Sequence, residues 1–436
     1  MKKFYLSLII IFAAAFSLPK SAAALFLNTT DSSNPTIETT AERLYRAGIK
    51  NLVDGKFPEA QASFERSIKA DPKLVKATLG LAEAYFKQGK NEQAGTVISD
   101  ALSSIPNNSR IYLAWGRYLY LEKKPQEAKT AFLKAIELEP RLADAMVDLG
   151  DLYMNSLNDP AKAERAYRSA LEQDSARAGA QYALGMALQR QKKDVKEIKE
   201  RFEAANYLQP ENPLPLYALA QIYMQGKDFP PALETLDKLT KVQPKFVQAY
   251  LDRGDIYLAQ NEADKAIEEY KKAADIDSKS AATYIKLGMA YQVRQEWQPA
   301  QEAYRNAINR DPGAGSVFAY NNLAWVTVES GGDVNEAIAN AQKATDLAPR
   351  VAQFWDTLGW LLQIKQEKEK AITALEKAIT FPDASPSTYY HLGVVYTDAG
   401  KKKEALTALQ KALSFQKNFD GLQDAQKRAA DLKNSL

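Results

Sequence analysis

Apolar and small residues recur along the chain at the spacing of helix faces. In one segment Met146, Leu149 and Tyr153 are followed by Ala163 and Tyr167, each group at intervals of three or four residues. The same arrangement returns at a mean interval of about 34.5 residues, measured on the small residues Gly48, Ala82, Gly116, Gly150, Gly185, Ala220, Gly254, Gly288, Ala324, Gly359 and Gly393. Such a unit is long enough for two helices, so the pattern predicts eleven successive helix hairpins.

Two further series stay in phase with these small residues. The second series follows the small residues by twelve or thirteen positions and consists of Ala60, Ala94, Ala128, Ala163, Ile198, Ala232, Ala266, Ala300, Ala337, Ala371 and Ala405. Most units end in a proline: Pro72, Pro106, Pro140, Pro210, Pro244, Pro312 and Pro349. The small residues are expected where the two helices of a hairpin cross, because a larger side chain there would force the backbones apart. Gly55, Gly89, Gly226 and Gly400 are predicted to stop first helices.

These residues resemble the tetratricopeptide repeat family, whose unit of about 34 residues carries W-x₂-L-G-x₂-Y, then A-x₃-F, then P. The unit with Leu287, Gly288, Tyr291, Ala300 and Tyr304 follows that order. The resemblance covers residues 41–419 and implies an all-α, right-handed α-solenoid of about eleven hairpins, with the first helices lining the concave side. Residues 420–436 have apolar positions among charges and are predicted to form a capping, solvating helix.

The first 40 residues differ from the repeats. Residues 1–24 have a basic start, an apolar run and three alanines at the end, which is typical of a secretory signal peptide. Residues 25–40 are polar and are predicted to be a flexible leader. An exported product, periplasmic or secreted, is therefore expected, with an uncleaved inner-membrane anchor as the alternative. Once the signal is cleaved, no further segment is apolar enough to span a membrane.

Composition narrows the chemistry. The chain has no cysteine, which excludes disulfides and thiolate metal sites. It has one histidine, His391, which argues against a histidine-rich metal site and against a Ser-His-Asp catalytic triad. No cofactor or metal is expected. Of 57 Lys and Arg against 54 Asp and Glu, the three excess cations lie in the first 24 residues. The remaining chain is neutral and lacks the charge expected of a nucleic-acid binder.

The resemblance also predicts a partner-binding groove on the first helices, at positions −6, −3 and +1 from the small residue. Acids at or between these positions are Asp144, Asp148, Asp151, Asp252 and Asp255, which favours a partner with basic and apolar side chains. The alternative is structural: the acids of the fourth repeat face Arg110 and Arg117 of the third, so neighbouring helices can pair charges among themselves.

Aromatic residues at groove positions lie further along, at Tyr182, Tyr217, Trp325, Trp360 and Tyr390. They are candidates for partner contacts, and packing within the array is the alternative. We interpret the chain as a non-enzymatic protein–protein interaction scaffold of the bacterial periplasm or cell envelope, within an assembly such as a polysaccharide-export, pilus or secretion apparatus. The competing hypothesis is a carbohydrate-binding module that stacks these aromatics on sugar rings.

Overall fold

The computed structural model describes residues 39–436, which form two compact units, 39–226 and Lys227–Leu436. The predicted signal peptide and nearly all of the predicted leader lie outside the described residues. No strand occurs in the described part of the chain, so the all-α prediction is confirmed. None of its helices combines the length and apolar character needed to cross a bilayer.

Unit 39–226, here called the N-terminal unit, contains eleven helices: α1 (Thr40–Val53), α2 (Phe57–Ala70), α3 (Val75–Lys87), α4 (Asn91–Ser104), α5 (Ser109–Leu121), α6 (Pro125–Leu138), α7 (Ala143–Asn155), α8 (Pro160–Gln173), α9 (Ala178–Arg190), α10 (Val195–Leu208) and α11 (Pro213–Gln225). Each odd-numbered helix from α1 to α9 packs against the next even-numbered one, and each of these hairpins packs against the following helix. The order along the chain is therefore also the order in space, as in a stack of repeats.

Unit Lys227–Leu436, the C-terminal unit, contains α12 (Phe229–Val242), α13 (Val247–Ala259), α14 (Ala263–Ile276), α15 (Ala281–Val293), α16 (Trp297–Arg310), α17 (Val317–Glu329), α18 (Val334–Leu347), α19 (Ala352–Ile364), α20 (Lys368–Ile379), α21 (Pro386–Asp398), α22 (Lys402–Ser414) and α23 (Leu422–Ser435). Its helices also pack in chain order. The helix predicted near the C terminus is α23, which buries Ala425, Ala429 and Leu432 next to α22.

The small residues lie where the sequence places them, at the crossing of the two helices of a hairpin. A Cβ atom on Gly288 would lie 2.6 Å from the ring of Tyr304, and one on Gly185 would lie 2.6 Å from the ring of Phe202. Both rings are fully buried. In these hairpins an aromatic residue of the second helix thus occupies the space that glycine leaves on the first, whereas Leu375 and Leu409 fill it opposite Gly359 and Gly393.

The turns inside the hairpins require a left-handed residue. Gly55, Gly89 and Gly400 adopt φ of 73 to 75°, as predicted for helix stops. Gly226 does not, because its φ is −75° and Lys227 takes the left-handed conformation instead, with φ of 57°. In other hairpins the same turn uses a non-glycine residue, Lys123, Asn158, Lys192, Asn261, Gln295 or Gln366. The turn is therefore conserved in geometry within the chain although its glycine is not.

Candidate partner-binding surface

The first helices of neighbouring hairpins form one continuous face in each unit. In the N-terminal unit α1 contacts α3, α3 contacts α5, α5 contacts α7 and α7 contacts α9, and in the C-terminal unit the odd-numbered helices from α13 to α21 do the same. Among the described residues, contacts between successive second helices are sparse or absent. The first helices thus lie close enough for side chains of one repeat to reach the next, and this surface is the first-helix face.

Pairs of residues 31 positions apart meet on this face. Position +1 of one repeat contacts position −2 of the following repeat, and the chemistry of the pair varies. Arg117 donates from Nε to Asp148 Oδ2 at 2.6 Å, Lys286 donates from Nζ to Asp255 at 2.7 Å, and the rings of Trp360 and His391 stack with centroids 4.3 Å apart. Adjacent hairpins are therefore joined here by an ion pair or by an aromatic stack.

The predicted acidic stripe of the fourth repeat is occupied by contacts within the chain. Asp148 pairs with Arg117, as the structural alternative expected, and Asp144 pairs with Arg177 at 2.5 Å rather than with Arg110. Within residues 39–436 the Arg110 side chain makes no ion pair. An acid already paired with an arginine offers little charge to a ligand, which favours the structural alternative for Asp144 and Asp148; their role in partner binding stays a prediction.

Asp151 is held differently. Its Oδ1 accepts a hydrogen bond of 2.7 Å from the hydroxyl of Tyr167, a residue that is only 1% exposed. Burial raises the pKa of the Asp151 carboxyl to about 7, although the hydrogen bond from Tyr167 acts in the opposite direction. Burial also raises the pKa of Asp148, and the neighbouring Arg117 opposes that shift. Asp151 therefore resembles a residue in a buried polar contact within its hairpin more than a residue exposed to bind a ligand.

The acids of the seventh repeat are also engaged. Asp252 is 4% exposed and accepts a hydrogen bond from Gln248 Nε2 at 2.8 Å. Its role in partner binding stays a prediction. Asp255 accepts from the hydroxyl of Tyr270 and from Lys286, both at 2.7 Å. Here the acid lies at position +1 and the cation at position −2 of the next repeat, the reverse of Arg117 and Asp148. Both pairs are neutral overall.

Three of the five predicted aromatics have described ring or hydrogen-bond partners. Tyr182 tilts against buried Phe202 with ring centroids 5.5 Å apart, and burial raises its pKa. One face of Trp360 is covered by His391, whose Nδ1 lies 2.8 Å from Asp356. Tyr390 donates a hydrogen bond of 2.9 Å to Asp424 in α23. These side chains connect elements of the fold, so for them the packing alternative describes what the structure contains.

The other two aromatics lie half-buried on first helices. Tyr217 belongs to α11 and has contacts of its own. Trp325 belongs to α17, and within the described range its indole makes no hydrogen bond and no ring contact. Of the predicted aromatic set, Trp325 is therefore the side chain with most freedom to meet a partner, and its role in binding stays a prediction.

Sequence reasoning considered Arg110 and Arg117 only as partners of the acids, and it missed two further cations near the start of the array, Lys73 and Lys76. Lys73, Lys76, Arg110 and Arg117 surround a cleft of about 260 Å³ between the first helices of the first four hairpins. Lys73 lies in the segment between α2 and α3, outside the helix positions used for the prediction. A basic residue directly after the repeat-ending proline, as in Pro72-Lys73, is the signal that could have identified it.

No group of three or more His, Asp or Glu residues with the arrangement of a metal site occurs in the part of the chain that the structure describes. The groups with the clearest pKa shifts on the first-helix face belong to the polar contacts between or within hairpins described above. The contacts described on this face are ion pairs, hydrogen bonds and ring contacts.

The chain is similar to known proteins in sequence and in structure. Tetratricopeptide repeat models match residues 52–115, 109–142, 156–213, 217–281, 282–314, 352–382 and 386–419. Among curated proteins, the human Protein O-mannosyl-transferase TMTC3 is 25% identical over 190 residues, which are 38% of this chain. The chain spans about a fifth of that relative, 21% of its length.

Solved structures with a similar arrangement of helices share little sequence with the chain. Yeast Tom70 is 15% identical, covers 91% of this chain and 96% of its own, and has a TM-score of 0.43. A tetratricopeptide repeat protein from Parabacteroides merdae is 18% identical over 58% of this chain and 98% of its own, with a TM-score of 0.44. YrrB, described as a TPR protein with an unusual peptide-binding site, is 25% identical, covers 44% of this chain and 98% of its own, and has a TM-score of 0.38.

Proposed function

Because this chain belongs to the tetratricopeptide repeat family, we propose that it is a non-enzymatic scaffold that binds segments of partner proteins on its first-helix face. The observation that carries the proposal is the continuity of this face within each unit, together with an apolar cleft that cations surround. A continuous surface of this kind suits an extended or helical segment, because such a segment can contact several repeats at once.

The non-enzymatic part of the proposal rests on how the chain is used. Repeated helix hairpins account for almost all of residues 40–414, so this range contains no separate fold that could carry a catalytic site. The transferase named among the relatives matches over about a fifth of its own length, and its activity is a property of that whole protein. A shared fold does not determine which reaction, if any, a protein catalyses. Function depends on the residues of the site.

We further propose that the scaffold is exported and works in the periplasm or cell envelope of a bacterium, in a membrane-associated assembly. Support for export comes from the signal-peptide pattern of residues 1–24. The choice of a polysaccharide-export, pilus or secretion apparatus rests on the family resemblance alone. No contact described above favours the carbohydrate hypothesis, since Trp360 and Tyr390 are engaged within the fold.

Site-specific photocrosslinking tests which face binds a partner. A benzophenone amino acid would replace one exposed first-helix residue at a time, Gly179, Ala282 or Gln353, in the full chain. Matched controls carry it at exposed second-helix residues Ala161, Glu203 or Gln298. After irradiation in a bacterial envelope extract, we expect discrete protein adducts from the first-helix positions only. Adducts mainly from the second helices, or none from either set, would contradict the proposal.

A further inference from the structure

The cleft near the start of the array combines an apolar floor with a basic rim. Leu79, Leu113 and Ala114 contribute to its floor and are nearly or fully buried. Lys73 and Arg110 lie on its rim and are exposed. These residues come from α3, α5 and the segment before α3, so the cleft exists only because neighbouring hairpins stack.

Most charges around the cleft already have a partner. Arg117 pairs with Asp148 at 2.6 Å, and Asp144, the one acid that lines the cleft, pairs with Arg177. Lys76 lies 3.7 Å from Glu42. Each of these pairs is neutral overall, so none of them gives the cleft a net charge to attract a ligand.

Lys73 and Arg110 are the exceptions. Within residues 39–436 neither side chain has an ion pair or a hydrogen bond to another side chain. Among the residues that line the cleft, the charges without an ion pair are therefore both positive, and they lie beside apolar surface that a ligand could cover. Charges of this kind attract carboxylates and select against basic partners, because like charges brought together at a contact are unfavourable.

The size of the cleft limits what it can hold. Its volume of about 260 Å³ is below the roughly 300–1,000 Å³ typical of pockets that enclose a drug-sized ligand. It suits one or two side chains of a longer segment that continues along the first-helix face. A cofactor of drug-like size would extend beyond such a space, and any polar group it placed against the leucines would lack a hydrogen-bond partner.

We propose that this cleft binds an acidic segment of a partner protein, with one bulky apolar side chain against Leu79 and Leu113 and carboxylates against Lys73 and Arg110. This inference deepens the proposed function and rests on it, since it assigns a ligand chemistry to one part of the first-helix face. It also reverses the charge that the sequence predicted for the partner, because the acids are paired and the free charges are basic.

Fluorescein-labelled peptides of ten residues provide the probe, with binding to the full chain followed by fluorescence anisotropy. The reference peptide has one central leucine flanked by two aspartates on each side in a glycine–serine background. Three matched peptides replace the leucine with serine, the aspartates with asparagine, or the aspartates with lysine. Together they separate the apolar contribution from the charge contribution.

The matched protein variants remove two cations each. Lys73→Ser with Arg110→Ser empties the rim, and both residues are exposed, so the fold should persist. Lys245→Ser with Arg350→Ser removes the same charge from exposed linker positions in the C-terminal unit. We expect the rim variant to weaken binding of the reference peptide at least tenfold and the control variant less than twofold. Raising the salt concentration should weaken binding to the unsubstituted chain.

Three results would overturn the inference. One is equal weakening by the two variants, which would mean attraction to net charge only. Another is equal binding of the leucine and serine peptides, which would remove the apolar site. The third is no binding of any peptide, or tightest binding of the lysine peptide. Photocrosslinking from Ala282 or Gln353 does not involve the cleft, so adducts there would leave the scaffold proposal intact when the cleft fails.

Discussion

Helix α9 contains two glycines that the structure places in opposite environments, and this permits a controlled test of the hairpin contact. A Cβ atom on Gly179 would meet no atom within 4 Å, whereas one on Gly185 would lie 2.6 Å and 2.9 Å from two ring atoms of Phe202. Gly179 is exposed, while Gly185 and Phe202 are buried. The same substitution, glycine to alanine, should therefore have opposite effects six residues apart.

The magnitudes follow from two terms. Alanine is favoured over glycine in a helix by up to about 1 kcal/mol, and this gain applies to both positions, with less of it in the first turn. Forcing a methyl group into a filled core costs about 1–3 kcal/mol, and only Gly185→Ala carries this cost. We expect Gly179→Ala to be neutral or stabilising by up to about 1 kcal/mol. The two variants should differ by about 1–3 kcal/mol, with Gly185→Ala the less stable.

Denaturant unfolding followed by far-UV circular dichroism measures the free energy of unfolding of each variant. Because repeat arrays can unfold in parts, hydrogen exchange of α9 and α10 should be measured as well. Replacing Phe202 with alanine removes the ring that the new methyl group at position 185 would meet. In Gly185→Ala with Phe202→Ala, the combined loss should be smaller than the sum of the single losses by about 0.5–3 kcal/mol. Equal stability of the two alanine variants would refute the reasoning.

Four further predictions concern ion pairs, protonation, turns and export. Arg117→Met should destabilise the chain by about 1–3 kcal/mol in thermal or denaturant unfolding, since it leaves Asp148 without its cation, and adding Asp148→Asn should recover most of the loss. Asp151 holds a proton in the folded state that the unfolded chain releases, because burial raises its pKa to about 7, so its contribution to stability falls as pH rises from about 4 to 7. Over that range the free energy of unfolding of Asp151→Asn should depend less on pH than that of the unsubstituted chain. An unchanged slope would contradict the raised pKa of Asp151. Lys192→Gly should stabilise by up to about 1 kcal/mol, because φ of 55° is costly for lysine. N-terminal sequencing after expression in a Gram-negative bacterium should find a mature chain beginning near Leu25, and an intact N terminus would contradict cleavage.

Much of the fold could be predicted because the determinants of a helix hairpin are local in the sequence. Gly185 and Phe202 are 17 residues apart, and the repeat spacing places both within one hairpin, with the small residue at the helix crossing. The turn was predictable where glycine marks it, as at Gly55, and was not predictable in position at Gly226, where the next residue takes the left-handed conformation. That choice depends on how the last helical turn ends and leaves no distinct trace in composition.

The candidate site was less predictable. Position in the repeat identified which residues lie on the first helices, including Asp148 and Trp325. It did not identify which of them are free, because their partners belong to other repeats. Arg117 and Asp148 are 31 residues apart in the sequence, and Tyr390 contacts Asp424, which lies 34 residues further along the chain. The approach of two such side chains depends on the rotation between adjacent hairpins, and a repeat pattern does not contain that angle.

The sequence by itself determined the repeat, its length, its helical class and the crossing positions, because periodic burial of small and aromatic residues specifies a hairpin without reference to distant parts of the chain. Only the tertiary structure decided which charges of the first-helix face are paired. Stacking brings Asp144 to Arg177 and Asp148 to Arg117, and it leaves Lys73 and Arg110 at the mouth of an apolar cleft. The physical reason is that a charge counts for recognition only when it is unpaired, and pairing is a property of the packed neighbours.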